Sequence, residues 1–421
     1  MLIEVSVANY RSIDDTQTFS LMKGRGNELA GSNSFFVEAA NRFELLRSSA
    51  IYGPNASGKS NFLLALRTMQ RIVLESSTGH QYGDALPVVP FRLNPQSCIQ
   101  PSEFEVTFLV EGVRYQYGFS ATAARIHDEW LLAYPKGRAQ RWFTRMWNTE
   151  KQCHDWELGS HLQGEKQLWQ KSTRENALFL STAVQLNSQQ LQPLFDWFRS
   201  TLRMAGVGGW GPEFSATLCE REHKARVMDF LHAADLHIDD VQVEAQPFDI
   251  NLLPEDMPES LRAVFADSMK DQQVFEIKTI HRDSEGKAVT FDFKDESDGT
   301  QKLFSFAGPW LDALENGYVL FIDELHDNLH PVLVRYLVEL FHSSETNPKN
   351  AQLVFTTHET SILNQDVFRR DQIWFCEKDS TQATQIYPLT DFSPRKGREN
   401  LELAYLSGRY GALPFVRKVK V

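Results

Sequence analysis

Ile51-Tyr52-Gly53-Pro54-Asn55-Ala56-Ser57-Gly58-Lys59-Ser60 fills every fixed position of a G-x-x-x-x-G-K-[ST] phosphate loop. Ser49-Ala50-Ile51-Tyr52 reads as a short buried strand leading into it. Asn61-Phe62-Leu63-Leu64-Ala65-Leu66-Arg67 reads as the first turns of a helix that runs to about Ser76. Gly53 and Gly58 let the backbone curl, so that its N–H groups converge on phosphate oxygens. The helix N-terminus adds partial positive charge at the same point. Lys59 can reach the β- and γ-phosphates, and the Ser60 hydroxyl can hold Mg²⁺. The bland alternative is a Gly/Ser turn with an incidental lysine. The strand–loop–helix setting and the filled positions weigh against it.

The chain has 421 residues, 42% apolar and 23% charged, which describes an ordinary globular protein. No apolar run approaches the ~20 residues that span a bilayer. Residues 1–10 alternate like a strand and lack a basic segment with a cleavage site, so a cytoplasmic location is expected. Cys98, Cys153, Cys219 and Cys376 are widely spaced and read as reduced thiols. A formal charge of −12 argues against a broad nucleic-acid-binding surface. A local patch remains open: the tail from Pro394 carries Arg395, Lys396, Arg398, Arg409, Arg417, Lys418 and Lys420 against Glu399 and Glu402.

Working outward, residues 2–8 and about Thr16–Leu21 read as strands, with a loop over 22–34. Residues 103–110 and 113–120 alternate and are joined by Glu111-Gly112, a β-hairpin, with more short strands to about residue 146. From roughly 165 to 270 the pattern turns helical and polar, with helices over Leu191–Leu202 and His223–Leu236, a loop over 206–212 and no long coiled coil. Most of the tryptophans from 142 to 210 (Trp142, Trp147, Trp156, Trp169, Trp197, Trp210) read as core, with base stacking as the alternative. A second hairpin covers 274–281 and 288–293. Beyond it, an apolar helix over Leu303–Leu314, a strand Tyr318–Ile322, a helix after Pro331, and strands Gln352–His358 and Ile373–Cys376 alternate. That order predicts a mostly parallel sheet. The expected class is α/β: a P-loop ATPase head with an antiparallel β subdomain and a helical insertion. Its divisions fall at 1–130 (first nucleotide-binding lobe with the β subdomain), 131–270 (mixed insertion) and 271–421 (second lobe).

The later motifs narrow the chemistry. Tyr318–Ile322 followed by Asp323-Glu324 is a Walker B pattern. Asp323 can hold the metal's hydration shell, and Glu324 can take a proton from an attacking water. Two acids can also simply end a strand, but the upstream phosphate loop favours the catalytic reading. His358 stands 35 residues after Asp323, where a histidine can sense a γ-phosphate; alone it would read as a capping or core residue. His326 and His330 have metal-pair spacing, yet read better as the loop after Walker B. Ser297-Asp298-Gly299 opens a helix 26 residues before Asp323. An N-cap and turn is the plain reading. In this order, a second phosphate cradle serving another protomer is favoured.

Together these motifs resemble the ABC-type ATPases of the RecF, SMC and OLD group, most closely the prokaryotic AAA-15/AAA-21 or RloA-like ATPases. The resemblance is carried by Asn9-x-Arg11-Ser12, the Walker A loop, Ser297-x-Gly299, Asp323-Glu324, Leu329-His330-Pro331, Thr357-His358 and the tail Tyr405–Pro414. It spans nearly the whole chain and is weakest over 130–270. It implies that Asn9 and Arg11 border the nucleotide. Gly53, Asn55, Ser57, Gly58, Lys59 and Ser60 would grip ATP and Mg²⁺. Asp323 would position the metal, Glu324 would act as base, His358 as γ-phosphate switch, and Ser297 and Gly299 would close over ATP from the opposite subunit.

Two departures stand out. The signature reads Ser-Asp-Gly-Thr-Gln instead of Leu-Ser-Gly-Gly-Gln, as is usual for this branch. The Toprim nuclease of OLD-type members has no counterpart after His358, so nuclease chemistry would sit on a separate polypeptide. The expected function is an ATP-hydrolysing, homo-oligomeric, head-to-tail regulator of an anti-phage or restriction-linked nuclease or toxin. A RecF/SMC-like DNA-binding ATPase of repair or recombination is the alternative, so nucleic acid stays a possible partner; no membrane is expected.

Overall fold

The computed structural model describes residues 1–205, 209–220, 223–247, 258–259, 261–262 and 273–414. In chain order its strands are β1 (Leu2–Ala8), β2 (Gln17–Ser20), β3 (Ser34–Val37), β4 (Phe43–Leu46), β5 (Ser48–Tyr52), β6 (Ser102–Val110), β7 (Val113–Ala121), β8 (Ile126–Tyr134), β9 (Gln140–Asn148), β10 (Cys153–Leu158), β11 (Leu202–Met204), β12 (Asp240–Pro247), β13 (Gln273–Arg282), β14 (Ala288–Asp292), β15 (Val319–Ile322), β16 (Gln352–Thr357), β17 (Ile373–Lys378) and β18 (Thr384–Pro388). Four helices matter most below: α1 (Lys59–Glu75), α2 (Asp298–Asn316), α3 (Pro331–His342) and α4 (Leu401–Leu406). The described chain divides into two compact units. One comprises Met1–Val207, Leu314–His326 and Val334–Val421; the other comprises Gly208–Ala313 and Asp327–Leu333.

The first unit holds the six-stranded sheet β11-β15-β16-β5-β17-β18, parallel except for the β17–β18 hairpin. β5, β15 and β16 are buried at every position. Sheets covered on both faces select such continuous apolar runs. The same unit holds the seven-stranded antiparallel sheet β10-β9-β8-β7-β6-β1-β2. The expected hairpin over 102–121 forms, with Val110 opposite Val113. The strands after it are longer than expected and continue to Leu158, and β8 runs straight across residue 130. They belong to one sheet with the N-terminal strands. One apolar core joins both sheets and α1; it includes Phe62, Leu66 and Met69 of the helix with Phe104, Phe119 and Phe19, and the Phe62 and Phe19 rings lie 5.9 Å apart.

The antiparallel sheet also carries a buried charge pair. Glu129 and Arg145 lie 3.0 Å apart with fully buried side chains. Glu129 also accepts from Tyr117 Oη and from the backbone N–H groups of Phe179 and Leu180. Burial pushes the Arg145 guanidinium down and the carboxylate of Glu129 opposes that.

In the second unit, β12, β13 and β14 form a three-stranded antiparallel sheet. The expected hairpin is β13–β14. β12, however, falls where a helical pattern was expected: Asp240-Val-Gln-Val-Glu-Ala-Gln-Pro247 has a period of two, and pairing with β13 makes it a strand. The glycine-rich loop over 206–212 lies in part outside the described residues, as do the C-terminal Arg417, Lys418 and Lys420. α2 contains Pro309. Where Phe304 and Gly308 would bond in the helix ladder, the Ser215 hydroxyl inserts, donating to Phe304 O and accepting from Gly308 N. A side chain set into the ladder beside a proline is an ordinary cause of a helix bend.

Half of the six tryptophans, most of them expected in the core, are there: Trp142, Trp169 and Trp197 are buried, whereas Trp147, Trp156 and Trp210 are half-buried. All four cysteines are free thiols. The basic tail is partly neutralised from within, by Arg409–Glu399 at 2.7 Å and Lys396–Glu28 at 3.4 Å.

Candidate functional site

The carboxyl ends of β15, β16 and β5 gather the expected site. Ile322 lies opposite Phe355, and Thr357 opposite Tyr52. The residues that follow each strand, Asp323-Glu324, His358 and Gly53, therefore emerge side by side. α1 begins at Lys59, so the loop between β5 and the helix is the phosphate loop itself.

Two glycines of that loop are dictated by close approach. A Cβ on Gly53 would sit 2.2 Å from Cys376 O. Gly58 has φ +113, and a Cβ there would sit 2.0 Å from Thr384 Oγ1. Thr384 of β18 is the floor of the loop. Its hydroxyl donates to Ser57 O at 2.9 Å and lies 2.8 Å from Ser12 Oγ, which accepts from Asn61 Nδ2. Cys376 Sγ lies 3.6 Å from Ser57 O, and burial pushes its thiol up to about 11.

Lys59 is buried and donates to Gly53 O at 2.8 Å and Pro54 O at 3.1 Å. Burial lowers its pKa; Cys376, Glu324 and Asp323 act in the opposite sense. The Ser57 hydroxyl, 2% exposed, has no hydrogen-bond partner. Asn55 and Ser60 are exposed at the mouth of the loop. A positively charged amine and an orphaned hydroxyl at the start of a helix suit a polyphosphate.

Asp323 is 5% exposed, and its Oδ1 accepts from Thr356 Oγ1 at 2.5 Å. The same Oγ1 accepts from the backbone N–H of Glu324 at 2.8 Å. Glu324 has φ +54, the strained left-handed region for a non-glycine residue. One threonine thus aims the first carboxylate and braces the turn that presents the second. Sequence reading missed Thr356, as it missed Thr384. The only signal was two consecutive hydroxyls, Thr356-Thr357, at the end of an apolar strand.

His358 is exposed and shares with Gly53–Ser57 a cavity of about 690 Å³, also lined by Lys378, Tyr405 and Leu413. His358 Nε2 lies 2.8 Å from His326 Nε2, so His326 faces His358 and not the i+4 residue His330. No group of three or more metal-binding side chains occurs among the described residues.

Asn9 has a structural part in this region. It is 7% exposed, and its amide is consumed by Ser97 O, Gln100 O, Pro101 O and Phe91 N. It pins the segment 91–101, with its Nδ2 engaged by three carbonyls and its Oδ1 by one N–H. Arg11 is exposed and lines, with Ser12, Asn61, Lys378 and Gln382, a second cavity of about 470 Å³. Lys378 and Gln382 line both cavities, so the β17–β18 turn walls the phosphate loop; no motif pointed to it.

The second unit holds the signature. Ser297 is exposed and its Oγ accepts from Thr300 N at 3.2 Å, so it is an N-cap of α2. Gln301 donates to Glu296 O, and Glu296 accepts from Thr279 and bonds His281 Nε2 at 2.6 Å. Gly299 sits within the first turn of α2, close to Asn328 O.

Comparisons agree with this picture at the level of family. Structural neighbours include the SMC head domain from Thermotoga maritima, 12% identical, TM-score 0.39, covering 92% of this chain and 98% of that one. Another is an Smc head domain from Pyrococcus furiosus bound to the C-terminal domain of ScpA, 11% identical, TM-score 0.41, covering 93% and 97%. Likenesses at such scores say nothing about activity or partners. No curated protein matches the chain. A family model described as "AAA domain, putative AbiEii toxin, Type IV TA system" matches residues 48–178 and 213–364, which include the phosphate loop, the signature, the Walker B acids and His358. With well over half its length matched, and with these motifs in place, the chain belongs to this AAA_21 family of ATPases.

Proposed function

We propose that this chain binds and hydrolyses ATP with Mg²⁺ in a head-to-tail dimer. In that role it would be the sensor or regulator of an anti-phage or restriction-linked system and would control a separately encoded nuclease or toxin. The observation that carries the hydrolytic part is the Asp323–Thr356–Glu324 brace beside the phosphate loop. Lys59 and the loop N–H groups hold the phosphates, with Gly53, Asn55, Ser57 and Gly58 shaping the cradle. Ser60 and Asp323 are the residues that would hold Mg²⁺, which when bound offsets charge on the phosphates. Glu324 accepts the proton of the attacking water, and His358 contacts the γ-phosphate side. Ser297, exposed at the start of α2, together with Gly299 would complete the pocket of a second copy. Arg11 borders the nucleotide from the neighbouring cavity, and Asn9 supports it indirectly.

The regulatory part rests on the family description. Opening and closing with the nucleotide state would be the switch. Glu324→Gln tests the hydrolytic core. Steady-state turnover should fall at least ~100-fold, the scale of a lost general base, while an ATP-dependent dimer accumulates in size-exclusion chromatography. Turnover at the parental rate contradicts the assignment. Salt-dependent DNA binding with DNA-stimulated turnover would instead favour a RecF/SMC-like role.

A further inference from the structure

We propose that His326 is a positioning residue: it orients the ring of His358 and determines which of its nitrogens carries the proton. The inference rests on the ATPase reading above. Three residues form a relay. Thr357 is fully buried at the end of β16, and its Oγ1 accepts from Glu359 N at 3.0 Å. In the proposed relay the hydroxyl, which keeps its proton, donates it to His326 Nδ1, 3.2 Å away. A neutral histidine that accepts at Nδ1 carries its proton on Nε2. His326 Nε2–H then donates to His358 Nε2 at 2.8 Å. His358, accepting at Nε2, is left with its proton on Nδ1 as its one remaining donor.

Packing fixes the same arrangement. The two rings meet edge to face at 67°, with centroids 3.8 Å apart. His358 is exposed, and its ring is held against that of His326 by this contact and the hydrogen bond. His326 belongs to the segment after β15, so the relay ties the switch histidine of one strand to the turn that bears Glu324. Nothing in the residue spacing pairs position 326 with 358; the adjacency of β15 and β16 does.

The test compares the parent with His326→Ala, His326→Gln, His358→Ala and the double alanine variant, in ATP turnover with Mg²⁺. A glutamine amide can restore the donor to His358, though not the contact with Thr357. For His326→Ala, kcat should drop about tenfold, the lower range for losing the partner that orients a functional histidine. KM for ATP should stay within about twofold, since binding in the ground state is untouched. His326→Gln should recover most of kcat, and the double variant should be no slower than His358→Ala alone. Parental kcat in His326→Ala, or losses that multiply in the double variant, would overturn the proposal. So would a loss in His326→Gln as deep as in alanine when both variants melt at the parental temperature. A parent that binds ATP without turning it over would overturn the ATPase reading, and this inference with it. A parent and His358→Ala that differ as expected, with His326→Ala equal to the parent, would overturn the inference alone.

Discussion

The two ends of the six-stranded sheet make opposite use of buried polar groups. At the amino ends most side-chain groups are tied to one another, although the buried Arg47 Nε has no partner. Gln372 Oε1 accepts from Asn33 Nδ2 and Arg369 N, and its Nε2 donates to Ser48 O and Ser48 Oγ. Ser48 Oγ also meets His342 Nε2 at 2.7 Å. Gln352 takes the backbone of Leu2 in both directions. At the carboxyl ends the groups are braced on one side and open on the other. Ser57 Oγ has no partner, Lys59 rests on its own loop carbonyls, and Ser60 and His358 face outward. A satisfied network stabilises one arrangement. A half-satisfied one at the mouth of a cavity keeps bonding capacity for a ligand. One sheet can therefore be rigid below and receptive above.

That contrast can be broken from either end. The largest effect is expected from Gln372→Leu, which strips five hydrogen bonds, the 3.4 Å contact with His342 Nε2 among them, from a fully buried site. Unfolding free energy should fall by roughly 4 kcal/mol, since buried groups left without partners each cost on the order of 1–3 kcal/mol. Chemical denaturation measures it, and ATP binding by the folded fraction should be unchanged.

His342 sharpens the comparison through pH. Burial, and then the nearby Arg47 guanidinium, push its pKa from 6.5 down to about 3. The folded protein therefore binds fewer protons than the unfolded chain between those values. The contribution is complete above about pH 6.5 and is lost as pH falls toward 3. Between pH 7 and pH 4.5 the parent should lose on the order of 3 kcal/mol through this group. His342→Gln should show that much less acid sensitivity in parallel denaturation curves.

The smallest effect belongs to the carboxyl end. Thr356→Val keeps the shape but removes the hydroxyl that joins Asp323 to the N–H of Glu324. Turnover should drop roughly 30-fold, equivalent to about 2 kcal/mol, with a smaller change in melting temperature than Gln372→Leu gives. A large stability loss with normal turnover would reverse the contrast.

Much of the site was legible in the chain because its chemistry is local. A phosphate loop needs Gly, Gly, Lys and Ser at set intervals, and a catalytic acid pair needs an apolar strand in front of it. Both read directly from residues 51–60 and 318–324. The hairpins were legible for the same reason, through period two and a turn dipeptide. β12 was missed because a short alternating run inside a helical stretch gains its identity from pairing with β13, about 30 residues away. The motif position of Asn9 likewise says nothing of the four backbone groups that its amide binds.

Taken alone, then, the residue pattern determined the α/β class, the mostly parallel sheet, the phosphate loop and the acid pair. Each of these depends on neighbours within about ten positions. Tertiary structure alone decided that Thr384 floors the loop, that Thr356 braces the two acids, and that His326 meets His358. Those contacts join residues more than 30 positions apart, and strand order with register brings them within hydrogen-bonding distance.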